Sequence, residues 1–164
     1  MRSAAGQTAA VQITIRPFDA LSPAEVHEIL RLRAQVFVVE QGCPYVDPDD
    51  GDLVSEHVTG REGGRLVAYA RIQPTAQGAK VGRVVTARDV RGRALGHAVV
   101  AACVAHLGDR PSYLHAQDHL RAFYAAHGYV PVGDVFPEDG IPHVRMERGP
   151  RAPDAPRDDA SPRH

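Results

Sequence analysis

Lysine occurs once in the 164 residues, at Lys80, and tryptophan is absent; nearly all the cationic charge is arginine. The formal net charge is −1, so no basic field exists to hold nucleic acid or an anionic membrane surface. No apolar run is long enough to span a bilayer. Residues 1–10 are small and polar and lack the apolar centre of a signal peptide. Cysteine appears twice, at Cys43 and Cys103. Cys103 stands in the apolar run 98–104, which reads as a buried helix with a core thiol. A reduced, cytoplasmic setting is the expectation. Metal sites are excluded by spacing. Cys43 and His57 have no second Cys/His pair at zinc distance. Asp47-Pro48-Asp49-Asp50-Gly51-Asp52 puts glycine at its fifth position and Val58 at its twelfth, which fails the calcium-loop pattern.

What is present is an ordinary globular composition, 43% apolar and 24% charged. Length and patterning predict one domain over residues 11–148, between a disordered leader at 1–10 and a Pro/Asp/Ala/Arg tail at 149–164. Val11, Ile13 and Ile15 alternate like a half-buried strand. Ser22, Pro23 and Glu25 make a capping box with proline in the first turn, and the helix behind it runs to about Gln41-Gly42. A Pro/Asp-rich loop spans 43–52. Hairpin strands follow at 56–62 and 65–73, joined by Gly63-Gly64, then a strand at 79–86. An apolar helix ends near Gly108. A short strand covers 113–116. Asp118 is a candidate cap for a helix that presents Leu120, Phe123, Tyr124 and His127 on one face. Strands at 129–136 and 142–148 close the domain. The order β-α-β-β-β-α-β-α-β-β predicts an α/β fold, a mixed sheet of six to seven strands with helices on both faces.

The chemistry concentrates between Val84 and Gly96. A strand ends at Val84-Val85-Thr86, and the turn Arg91-Gly92-Arg93-Ala94-Leu95-Gly96 opens an apolar helix. A helix N-terminus carries unpaired N–H groups and the positive end of the helix dipole, so it favours an anion. Gly92 and Gly96 allow close approach to the backbone, and Arg91 and Arg93 add charge. This pattern is a phosphate site without a Walker lysine, or else a plain turn with solvated arginines.

A second segment decides between them. Phe123-Tyr124-Ala125-Ala126-His127-Gly128-Tyr129 resembles the FYxxxGF signature of GNAT acyltransferases, and Arg91–Gly96 resembles their R/Q-x-x-G-x-G/A turn. Residues 37–45, 68–72 and 138–143 resemble the ElaA-like branch of that superfamily. The resemblance implies that strands 81–86 and 113–117 splay apart around pantetheine. It implies that the backbone of Val84, Val85 and Thr86 pairs with pantetheine, that Arg91, Gly92, Arg93, Ala94, Leu95 and Gly96 hold the pyrophosphate, and that Gln117 also touches coenzyme A. Tyr124 would lie near the thioester sulfur. By analogy the chain would be a monomer or homodimer. Ala94 departs from the pattern, because glycine is usual there, and Gln117 stands where many relatives have Asn.

The implied reaction is transfer of the acetyl group of acetyl-CoA to the amine of a small molecule or peptide, by direct attack. Transfer of a longer acyl chain, or sensing of acetyl-CoA without turnover, are the alternatives. Tyr124, with an ordinary phenol pKa of about 10, holds a proton to give the thiolate, unless it merely packs beside Phe123. His115 and His143 are candidate proton relays. Glu40, Asp47 and Glu138 are candidate acceptor-recognition carboxylates. Arg71 either grips an acidic acceptor or pairs with a buried carboxylate. The segment around Cys43 is expected to line the acceptor pocket.

Overall fold

A computed structural model describes residues 10–150. The expected leader and tail fall outside the described residues, except for Ala10, Gly149 and Pro150. Strand β1 (Gln12–Pro17) leads to helix α1 (Pro23–Arg33), which continues as a π-helix over Ala34–Glu40. One helical turn, α2 (Gly51–Val54), precedes β2 (Glu56–Glu62), β3 (Arg65–Thr75) and β4 (Gly78–Thr86). Then come α3 (Leu95–Leu107), β5 (Ser112–Gln117), α4 (Arg121–Ala125), β6 (Val130–Glu138) and β7 (Ile141–Arg148). The seven strands form one sheet in the order β1-β2-β3-β4-β5-β7-β6. Its ladders are antiparallel except between β4 and β5. This is the α/β architecture expected, with seven strands.

Local chemistry explains the first helix. Ser22 Oγ accepts from the Glu25 N–H at 3.1 Å, and the Glu25 carboxylate accepts from the Ser22 N–H at 2.7 Å. This satisfies two donors that a helix start otherwise leaves open. The helix reaches Gln41 as expected, but its last part widens into a π-helix.

Helices cover both faces. A Cβ at Gly60 would meet Ala68 Cβ at 3.3 Å and Val99 Cγ1 at 3.4 Å, so α3 rests directly on β2 and β3. Strand alternation turns Ala68, Ala70 and Ile72 to that side. Tyr69 and Arg71 face α1, whose Arg33 guanidinium lies 5.8 Å from the Tyr69 ring centre. Val58, Val67, Val81, Val99, Val100 and Val144 are sealed between the layers, each contributing about 1.5–3 kcal/mol by leaving water.

Two expectations need correction. The 43–52 loop gives way to α2 at Gly51, where Asp52 turns inward to meet two arginines. Asp118 does not cap α4. Residues Asp118–Leu120 form a 3-10 turn, and the Asp118 carboxylate accepts from Arg121 Nε at 2.7 Å instead of a backbone N–H.

Candidate active site

The central feature is an opening in the sheet. Parallel strands β4 and β5 pair only at Ala79↔Ser112 and Lys80↔Tyr113. Beyond that point β4 runs to Thr86 and β5 to Gln117 without pairing again. On its other side β4 stays bound to β3, through Val85↔Tyr69 and Thr86↔Ala68. The register slips between those pairs and Gly82↔Arg71, and Arg83 absorbs the slip with φ of 52°. The backbone of Val84–Thr86 therefore presents to the gap an edge that no strand pairs, with the Thr86 carbonyl accepting from Arg91 Nη2 at 3.3 Å, and this edge is able to receive an extended ligand that carries amides.

The edge leads into the basic turn. After a 3-10 turn at Arg88–Val90 the chain passes Gly92, with φ of 83°, and Ala94, with φ of 59° and ψ of 23°. Ala94 thus adopts the left-handed conformation that glycine takes without cost, which explains why glycine suits this position. Ala94 caps α3 without any side-chain hydrogen bond, so the first N–H groups of the helix remain open to an anion. Space around Gly92 is open, as expected. A Cβ at Gly96 would meet Phe123 Cζ at 3.4 Å and Thr86 Cγ2 at 3.8 Å, so the α-carbon of Gly96 packs α3 against α4, while its N–H belongs to the open helix start. Leu95 is buried beneath the turn. Both arginines already have carboxylate partners, Arg91 with Glu40 at 2.8 Å and Arg93 with Glu62. Glu40, expected near the acceptor, is tied to the turn.

On the α3 side, α4 places Tyr124 edge-on to Phe123, with ring centres 4.9 Å apart, and to Tyr129 at 6.4 Å. Burial pushes the Tyr124 phenol well above its usual pKa. Its hydroxyl finds no hydrogen-bond partner among the described residues, while that of Tyr129 meets Ser112 Oγ at 2.9 Å.

On the opposite face the register aligns Lys80, Tyr113, His115, Gln117 and His143. Glu138, at the end of β6, lies between two imidazoles. His115 Nδ1 is 3.3 Å from its Oε1, and His143 Nε2 is 3.4 Å from its Oε2. Burial opposes the charge of Glu138, but the His115 hydrogen bond and the charges of both histidines and Lys80 outweigh burial and hold its pKa below the glutamate value. Gln117 reaches Gln41 across the gap at 3.5 Å. The Cys43 thiol approaches the Asp139 carbonyl at 3.7 Å, so the 43–50 segment spans from α1 to the β6–β7 turn.

Arg71 and Asp47 have other roles. Arg71 donates to Asp49 at 2.6 Å and to Asp52 at 2.9 Å, which is the buried pairing that the sequence left open. Asp47, expected at the acceptor, is 2% exposed and accepts from Arg33, Arg83 and Tyr45. It is out of an acceptor's reach. Sequence reasoning missed Arg83 and Lys80 as neighbours of the gap. Nothing local marks a bulge at Arg83. The lone lysine was a signal for Lys80, half-buried where the strands part, where burial lowers its pKa.

Comparison with known proteins agrees with this fold. The acetyltransferase (GNAT) domain model matches residues 54–149. Protein ElaA of Escherichia coli (strain K12) is 42% identical over 137 residues, covering 78% of this chain and 90% of that protein. The crystal structure of Escherichia coli ElaA superposes with a TM-score of 0.78 at 38% identity, over 85% of this chain and 99% of that one. An acyl-CoA N-acyltransferase from Pseudomonas aeruginosa superposes with a TM-score of 0.81 at 37% identity, over 85% of this chain and 100% of that one.

Proposed function

The chain belongs to the GNAT acetyltransferase family and is a homologue of ElaA, and from that premise we propose that it moves the acetyl group of acetyl-CoA to a primary amine of a small molecule or peptide by direct attack. The observation that carries the proposal is the parting of β4 and β5 after Lys80 and Tyr113, beside the uncapped start of α3. The free edge at Val84–Thr86 bonds the amides of pantetheine as an added strand would. The turn from Arg91 to Gly96 takes the pyrophosphate on its backbone N–H groups. For that, Arg91 and Arg93 share their charge between the phosphates and Glu40 and Glu62. Gln117, at the far lip of the gap, steadies the same ligand.

Bound acetyl-CoA supplies an activated acyl carbon. The protein supplies orientation and proton management. The gap connects the two faces of the sheet, so an acceptor on the His115 side meets a thioester held from the α3 side. Tyr124, kept protonated by burial, gives its proton to the sulfur as the C–S bond breaks. Two measurements test this reading. Acetyl-CoA at about 100 times its Kd should stabilise the fold by about 2.7 kcal/mol, and no thermal shift at millimolar ligand would remove the cofactor assignment. A free-thiol assay across amines, polyamines, amino acids and peptides should find an acceptor that releases CoA. Faster turnover of octanoyl-CoA than of acetyl-CoA would make this a longer-chain transferase. A thermal shift with no turnover on any acceptor would make it a sensor.

A further inference from the structure

The two histidines on the acceptor face are not equivalent, and their partners say which one can take a proton. His143 Nδ1 lies 2.7 Å from the Ile141 carbonyl oxygen, which only accepts, so that nitrogen carries hydrogen. Its Nε2 faces the Glu138 carboxylate at 3.4 Å, again an acceptor. Both nitrogens of His143 are therefore turned to acceptors, and its ring is nearly sealed. No lone pair of His143 is offered to a ligand. His115 differs. Its Nδ1 donates to Glu138 Oε1, which leaves Nε2 without hydrogen in the neutral ring. Nε2 has no protein partner among the described residues, and the His115 side chain is 24% exposed. His115 also stands two residues past Tyr113, the last residue of β5 paired with β4, and so on the edge of the gap.

Resting on the acyltransferase reading above, we propose that His115 is the general base that deprotonates the acceptor amine, and that Glu138, backed by His143, is the positioning residue that holds His115 in its Nδ1–H tautomer. Other groups face the cluster. Lys80 on β4 adds positive charge beside Glu138, Arg145 on β7 is the register partner of His115, and the rings of Tyr113 and Phe136 flank it at 6.0 and 5.1 Å. The protons balance. An ammonium acceptor must lose two. His115 Nε2 takes the first and releases it to water. As the C–N bond forms and the C–S bond breaks, the Tyr124 hydroxyl protonates the sulfur, and it recovers the second proton from nitrogen through water. The products are the amide, CoA thiol and one proton.

Long-range proton–nitrogen NMR of the imidazoles in the intact protein reads the tautomers without any acceptor. His115 should show a protonated Nδ1 and a bare Nε2 at neutral pH, and Glu138→Gln should shift it toward the other tautomer. A wild-type His115 protonated at Nε2 overturns the proposal, as does a tautomer that Glu138→Gln leaves unmoved. Kinetics then use acetyl-CoA with the best amine from the panel. His115→Gln should lower kcat about 10²–10⁴-fold while the thermal shift given by acetyl-CoA persists. Unchanged turnover in His115→Gln overturns the base assignment alone. Failure of acetyl-CoA to shift the wild-type protein overturns the acyltransferase reading itself.

Discussion

In the proposed reaction Tyr124 acts through its burial. Its ring is wedged against Phe123 and Tyr129, and loss of hydration holds the phenol in its neutral form. A neutral phenol beside a departing thiolate is a proton donor. Tyr124→Phe keeps the ring and removes the proton. Turnover should fall about 10²-fold or more, while the acetyl-CoA thermal shift stays near the wild-type value. Equal loss of both would make Tyr124 structural. The position of Tyr124 was marked in the sequence because Phe123-Tyr124 precedes Gly128 at a recognisable spacing, and its proton-donor role rests on the proposed reaction. Arg71 and Asp47 were not legible in the same way. A charged residue in an apolar strand or a Pro/Asp loop has no visible partner until the chain folds, and each found its partner inside the protein.

The turn into α3 shows what an element needs from its residues. An alanine at φ of 59° costs about 1–2 kcal/mol relative to glycine, offset by the greater freedom glycine has when unfolded. Ala94→Gly should therefore raise stability by up to about 1 kcal/mol in urea titration. Acetyl-CoA binding should be kept or tightened, because the N–H groups stay where they are. A destabilised Ala94→Gly variant would contradict the strain seen at this position. The helix start itself was legible, since a basic glycine turn before an apolar run is a local pattern. The role of Gly96 was not, because its neighbour Phe123 is 27 residues away in sequence and comes into contact only through packing.

Across the whole molecule, three arginines and three aspartates tie the 43–52 segment to the fold. Arg33 of α1 binds Asp47 and Asp52, Arg71 of β3 binds Asp49 and Asp52, and Arg83 of β4 binds Asp47 and Asp49. Asp52→Asn leaves the buried Arg33 and Arg71 short of a shared anion and should cost about 3–5 kcal/mol. The network also sets an acid limit. Burial raises the pKa of Asp52, but Arg33 and Arg71 lower it further, so the folded value lies below the usual one; Asp49 behaves alike through Arg71 and Arg83. Their stabilisation is present above the unfolded pKa of about 3.9 and is lost as pH falls through the lower folded values. Thermal melts from pH 6 to pH 2 should show a steep loss below about pH 4 that is shallower in Asp52→Asn. Equal slopes would mean these carboxylates carry no folding-linked charge.

The sequence by itself determined the order of the main elements, the cap of α1 at Ser22, the basic turn at Arg91–Gly96 that opens α3, and hence the segment proposed to carry the cofactor chemistry. Each of these depends on residues within one or two turns of one another, whose periodicity and capping are readable along the chain. Only the tertiary structure decided where β4 leaves β5, how Arg71 and Asp47 are neutralised, and which of His115 and His143 keeps a free nitrogen. Those outcomes depend on register between strands and on which acceptor lies within about 3 Å of a ring nitrogen. Such distances exist only after residues far apart in the chain have been brought onto one face of the sheet.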